Sequence, residues 1–243
     1  MTAPGTKSPA NAPRLAVIGD GKMGRTIVQL APERGFMVSA LIGARHNDGG
    51  RGITPGGLNG AQVAVEFTEP AAAAANIEAA LRAGVPVVSG TTGWYDQLPR
   101  LRDLARDLGG ALFAAPNFAV GVAVFARIAE RAATLLAPID AFDAHLVETH
   151  HGAKKDAPSG TAAMLRDVLA SKLGREVPVT SVRTGSVPGT HELIFDAPFE
   201  QIRLTHEARD RRVFADGALL AARWLIGRRG AFDMTDLLDS LLP

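Results

Sequence analysis

The chain has 243 residues, 47% of them hydrophobic, with 26 basic and 25 acidic side chains, a formal net charge of +1 and no cysteine. That length can bury the core of one large α/β domain or two modest ones without staples. The balanced charge offers no long-range field to nucleic acid or an anionic membrane, and the missing cysteine removes disulfides, thiolate metal sites and cysteine nucleophiles.

No apolar run reaches the ~20 residues that span a bilayer, so a cytoplasmic protein is expected, one that binds small molecules and neither membrane nor nucleic acid. Residues 1–13 are rich in Ala, Pro, Thr and Asn without the apolar centre of a secretion signal, and are expected to form a loose tail. From Arg14 the pattern alternates as a parallel sheet with crossover helices does. Strands are expected at 14–18, 36–42, 62–67, 85–89 and 111–115. Between them come helices at 22–34, from Thr68-Glu69-Pro70 onward, and at 96–108, with Thr68 as the capping hydroxyl of the second. The texture then changes. A long helix over 119–136 precedes a strand at 142–148, a loop over 150–158 and a helix starting near Ser159. Short β-runs at 179–183, 191–195 and 201–205 suggest a mixed or antiparallel sheet, and a final helix over 214–226 could return to the first domain.

This order predicts an α/β chain: a Rossmann-like, doubly wound parallel sheet over 14–118 completed by 214–243, with an inserted α/β mixed-sheet substrate domain over 119–213. Gly19-Asp20-Gly21-Lys22-Met23-Gly24 matches G-x-G-x-x-G between a strand and a helix, where it can hold a dinucleotide pyrophosphate. A plain glycine turn is the alternative. The second strand ends Leu41-Ile42-Gly43-Ala44-Arg45 without the carboxylate that reads an NAD ribose. That leans towards NADPH, with NADH as the other cofactor and Arg45 and Lys22 as phosphate partners, unless Arg45 is only a solvated charge. Gly90-Thr91-Thr92-Gly93 and Ala115-Pro116-Asn117-Phe118 end strands on the edge where such sheets bind ligands, and are candidate nicotinamide contacts.

Residues 148–161 concentrate the chemistry. His150, His151 and Lys154 can exchange or donate protons, and the helix start at Ser159, Gly160 and Thr161 can receive a carboxylate. Together they suit an anionic substrate that must be protonated. A zinc site at the paired histidines is disfavoured by Lys154 and Lys155 and by the scatter of the other histidines, so no metal is expected. Two exposed loop histidines remain the structural alternative.

The chain resembles the 4-hydroxy-tetrahydrodipicolinate (dihydrodipicolinate) reductase family from about Leu15 onward. The run 148–161 is similar to its pattern E-x-H-H-x-x-K-x-D-A-P-S-G-T. The glycine loop, Gly90 to Gly93, Asn117-Phe118 with Val120-Gly121-Val122, and Phe232-Asp233-Met234 support the resemblance. It implies NAD(P)H-dependent reduction of a cyclic dicarboxylate imine with loss of water, in lysine and diaminopimelate synthesis, with hydride delivered to ring C4 and a proton to the resulting enamine. By motif position the resemblance makes His150 the general acid/base and Lys154 the second donor, with His151, Gly160 and Thr161 holding the carboxylates. It also implies a homotetramer built on sheets of the inserted domain, and closure of the domains over the ligands. The chain departs from the family pattern at Glu66, at Leu220 and in its short linker after Arg45. A related imine or amino-acid oxidoreductase, a silent dinucleotide sensor and a metal-dependent hydrolase are the competing functions.

Overall fold

The computed structural model describes residues 12–241, so the expected tail lies outside the described residues up to position 11. In chain order the first elements are β1 (Arg14–Ile18), α1 (Lys22–Leu30), β2 (Met37–Ile42), β3 (Val63–Glu66), α2 (Pro70–Arg82), β4 (Val87–Ser89), α3 (Leu98–Asp107) and β5 (Ala111–Ala114). They are followed by α4 (Val120–Leu136), β6 (Asp143–His150), α5 (Gly160–Leu173), β7 (Val179–Arg183), β8 (Thr190–Ala197) and β9 (Glu200–Glu207). The chain ends with α6 (Arg212–Leu225), β10 (Gly230–Phe232) and α7 (Met234–Asp239). It divides into two compact units, one ending at Ala119 and resuming at Arg212, the other running Val120–Arg211.

The first unit is a wholly parallel sheet in the order β10-β5-β4-β3-β1-β2. Its inner strands are near-continuous apolar runs, such as Leu15 to Ile18 and Val63 to Val65, because helices cover both faces. The sheet grows from β1 to β2 on one side and from β1 through β3 to β10 on the other. The strand order therefore reverses between β1 and β3, and a crevice opens at their carboxyl ends. Gly19 makes the turn there: with φ +108°, a Cβ on it would lie 2.0 Å from the Phe67 carbonyl oxygen. α6 does return to this sheet, touching α1, β3, β4 and β5, and Gly217 permits the approach, since a Cβ there would sit 1.7 Å from the Phe118 carbonyl oxygen.

The second unit is a mixed sheet in the order β7-β6-β8-β9, with β6–β7 parallel and the other pairs antiparallel. Along β6 every second side chain is buried: Ala144, Leu146, Glu148 and His150. The first two join Phe125, Leu165, Leu169, Leu193 and Phe195 in a core between this face and helices α4 and α5. The same strand face thus runs from oil to ions at its carboxyl end.

Several local expectations are corrected. α1 stops at Leu30 rather than 34, since Pro32 lacks the amide hydrogen that would continue it. Thr68 is not a cap: Glu69 occupies that position without a side-chain bond, and the Thr68 hydroxyl turns to Glu66. α3 begins at Leu98 after a short 3₁₀ turn, set by Pro99 in its first turn. His150 belongs to β6 and not to a loop, because pairing with Arg183 on β7 extends the strand beyond its apolar alternation. β10 and α7 were not anticipated. Three residues carry too little pattern for a strand, whereas α7 has a readable signal in the reciprocal Asp233–Asp236 capping box.

Candidate functional sites

The glycine loop lies between two recesses of the first unit. One, about 300 Å³, is lined by Gly21, Lys22, Met23, Phe67, Thr68, Pro70, Gly90, Thr91 and Thr92. The other, about 420 Å³, is lined by Asp20, Arg25, Leu41, Gly43, Arg45 and His46. Each glycine has its own reason. A Cβ on Gly24 would lie 1.9 Å from the Gly19 carbonyl oxygen, so packing of α1 on the loop demands glycine. A Cβ on Gly21 would meet no protein atom within 4 Å. Gly21 is also the N-cap of α1 without a side-chain cap, so this helix start is open to an anion such as a pyrophosphate.

The wall of the smaller recess is held by a buried carboxylate. Glu66, fully buried at the end of β3, accepts from Ser89 Oγ at 2.6 Å, from Thr91 Oγ1 at 2.9 Å and from the Thr68 hydroxyl. Burial pushes its pKa up, and the three hydroxyls pull it partly back. Thr91 Oγ1 also accepts from the Thr68 amide at 2.8 Å, so this hydroxyl braces the recess that Thr91 lines. Thr92 beside it is exposed, and Gly90 lines the same recess.

The other expected contacts take their places in the packed unit. The Phe118 ring is buried against Phe67 and Phe113, with centroids 5.9 and 5.7 Å away, and Ala115 is buried. Pro116 is exposed, and the Asn117 side chain accepts from the Ala119 amide at 2.8 Å. Lys22 lines the smaller recess and Arg45 the larger. Arg45 has His46 and Arg25 beside it, residues that no motif singled out.

In the second unit the carboxyl end of β6 carries the ionic cluster. Glu148 is fully buried, and its carboxylate accepts from the His150 ring at Nδ1, from Arg183 Nη2 at 2.7 Å and from the Ser159 amide at 3.3 Å. Burial alone would raise its pKa, but bonds from Arg183, Ser181 and His150 prevail and hold it at about 2. An ionised Glu148 can only accept. The His150 proton facing it therefore sits on Nδ1, and Nε2 is left to exchange protons. The His150 pKa is lowered, chiefly by burial, against the pull of Glu148 and with help from Lys154 and Arg183. A Cβ on Gly189 would come within 3.0 Å of that Nε2. Glycine at this point of the β8 entry keeps Nε2 accessible.

Behind His150 stand two more imidazoles. His191 lies opposite Glu148 on β8, and His206 opposite His191 on β9. The His150 and His191 rings meet edge to face at 5.3 Å, and burial lowers the His191 pKa to about 4, which keeps that ring neutral near pH 7. His191 Nε2 is 3.3 Å from Ser159 Oγ. Ser159 is itself buried and caps α5 by accepting from the Ala162 amide at 3.2 Å. Gly160 is exposed and Thr161 half-buried in the first turn of α5; His151 is half-buried in the turn after β6. The Lys154 ammonium is ion-paired with Asp156 at 2.8 Å. Among the described residues, no group of three or more histidine, aspartate or glutamate side chains is arranged to hold a metal ion.

The parallel sheet with a glycine loop at its switch point, carried on one chain with a carboxylate-braced imidazole beside a helix start, defines a nicotinamide-dependent oxidoreductase. Family models described as dihydrodipicolinate reductase, N-terminus, and dihydrodipicolinate reductase, C-terminus, match residues 13–118 and 121–238. A 4-hydroxy-tetrahydrodipicolinate reductase of Thiobacillus denitrificans is 36% identical, covering 93% of this chain and 98% of its own. One from Christiangramia forsetii is 32% identical at the same coverages. Among solved structures, a dipicolinate-bound dihydrodipicolinate reductase from Paenisporosarcina shares the fold, with a TM-score of 0.76, 22% identity and 90% and 97% of the two chains covered. The chain belongs to the dihydrodipicolinate reductase family.

Proposed function

We propose that this chain reduces 4-hydroxy-tetrahydrodipicolinate to tetrahydrodipicolinate with loss of water, a step in making diaminopimelate and lysine, using NADPH with NADH as a second cofactor. The observation that carries the reading is the union of Glu148, His150 and the α5 N-terminus through one buried carboxylate. Two curated relatives bearing the name of that reductase support it over 93% of the chain. The dinucleotide binds the first unit at Gly19 to Gly24, with Gly90 and Thr92 in the smaller recess and Arg45 in the larger. When bound, it supplies the hydride.

The chain's own residues do the rest. His150 exchanges the proton at Nε2, and a doubly negative ligand raises the affinity of that imidazole for it. Lys154 is the second donor, neutralising charge at the ring nitrogen. His151, Gly160 and Thr161 take the carboxylates, with the α5 dipole favouring negative charge. The working form is a homotetramer in the cytoplasm. Two observations fit it: the face of the second unit's sheet away from α4 and α5 exposes Val182, and no described helix is long and apolar enough to cross a membrane. The test generates the unstable substrate in place from pyruvate and aspartate semialdehyde with a synthase, and follows NADPH and NADH oxidation separately. Oxidation that depends on the synthase is expected. Its absence with both cofactors would overturn the proposal.

A further inference from the structure

The end of β2 carries no carboxylate for the adenosine ribose, yet the structure brings one to that place from elsewhere in the chain. Asp20, the second residue of the glycine loop, lays its carboxyl group against Gly43, the residue directly after β2. A Cβ built on Gly43 would fall 2.5 Å from Oδ2, 2.6 Å from Cγ and 3.0 Å from Oδ1 of Asp20. A side chain at position 43 would occupy the space this carboxylate fills, so the two groups share one place. The backbone under Asp20 is anchored too, because Arg25 Nε donates to the Asp20 carbonyl oxygen at 2.8 Å. Asp20 is exposed, and among the described residues it is the only carboxylate lining the recess of about 420 Å³ that Arg25, Arg45 and His46 also line.

We infer that Asp20 is the cofactor-discriminating residue of this site: from the glycine loop it supplies the ribose-hydroxyl acceptor that β2 lacks, favouring NADH and opposing the extra phosphate that Arg45 attracts. The inference rests on the dinucleotide reading of the first unit. An ionised carboxylate accepts two ribose hydroxyls well, and it repels a phosphate placed on one of them. The recess therefore holds opposed charges, Asp20 against Arg45 with Arg25, whose balance sets the preference between the two cofactors. No acid need appear at the end of β2, because the loop and the strand end share one wall.

The test measures NADH and NADPH dissociation constants directly, by nicotinamide fluorescence or calorimetry without substrate, for the wild-type chain, Asp20→Asn and Asp20→Ala. Circular dichroism confirms the fold of each. The expected result is a roughly tenfold weaker NADH complex in both variants, the size of one charge-assisted contact, while NADPH binding stays within about threefold of wild type or tightens. Equal changes for the two cofactors, or a preference ratio unchanged in both variants, would overturn the assignment while leaving the dinucleotide site intact. A wild-type chain that binds neither cofactor would overturn the dinucleotide reading, and this assignment with it.

Discussion

Replacing Glu148 by Gln keeps the shape of the buried side chain and removes its charge. In the folded protein that carboxyl titrates at about 2 against an ordinary 4.5. At ~1.4 kcal/mol per pH unit, the difference is worth about 3 kcal/mol of stability above the ordinary carboxylate range. Because the folded pKa is the lower one, the contribution is present above about pH 4.5 and is lost as pH falls toward 2; about 2 kcal/mol of it is gone by pH 3. Glutamine cannot titrate, so this component is absent from the variant, and the remaining carboxylates cancel in the comparison. Trp94, Trp224 and Tyr95, the chain's whole complement of tryptophan and tyrosine, lie in the first unit, so their fluorescence is blind to this site. Amide hydrogen exchange along β6 and β8 reads the second unit directly. The free energy of opening in the wild type should fall between pH 7 and pH 3 by about 2 kcal/mol more than in the variant. Parallel curves would refute the claim that Arg183, Ser181 and His150 stabilise the charged form. The same substitution replaces an acceptor-only carboxylate by an amide that can also donate, so the His150 proton is no longer confined to Nδ1 and turnover should fall as well.

Changing His150 to Gln or Lys154 to Ala should each lower turnover by ~10²-fold or more, the usual worth of a positioned proton donor; losses below threefold in both would refute their roles. Arg45→Ala should raise the KM for NADPH much more than that for NADH, and equal shifts would mean that Arg45 does not meet the extra phosphate. Gly24→Ala drives a methyl into the Gly19 carbonyl, so it should cost about 1–3 kcal/mol, the usual range for overpacking, and weaken both dinucleotides together. Unchanged melting with unchanged binding would show that the loop relaxes freely.

The two kinds of residue at these sites differ in how they could be found. Gly19, Gly21 and Gly24 announce themselves by spacing between a strand and a helix, and His150, Lys154 and Gly160 by lying in one dense run. Arg183, His191 and Gly189 sit in or beside short β-runs with no motif around them. What brings them to His150 is the pairing of β6 with β7 and β8, a contact between distant segments that periodicity does not encode. Ser159 and Thr91 carry a part the sequence does not show: each hydroxyl is also bonded to a buried partner.

The alternation of elements, the glycine loop and the chemistry gathered at 148–161 were all determined by the sequence alone, because backbone turns, helix starts and titratable groups are local properties. Tertiary structure decided where charge is buried and what each group faces. It extended β6 to put His150 against Glu148, added β10 to the sheet, and set the Asp20 carboxylate beside Gly43. Burial and cross-strand pairing belong to the packed chain, and partners such as Glu148 and Arg183, or Asp20 and Gly43, lie too far apart for a local pattern to hold both.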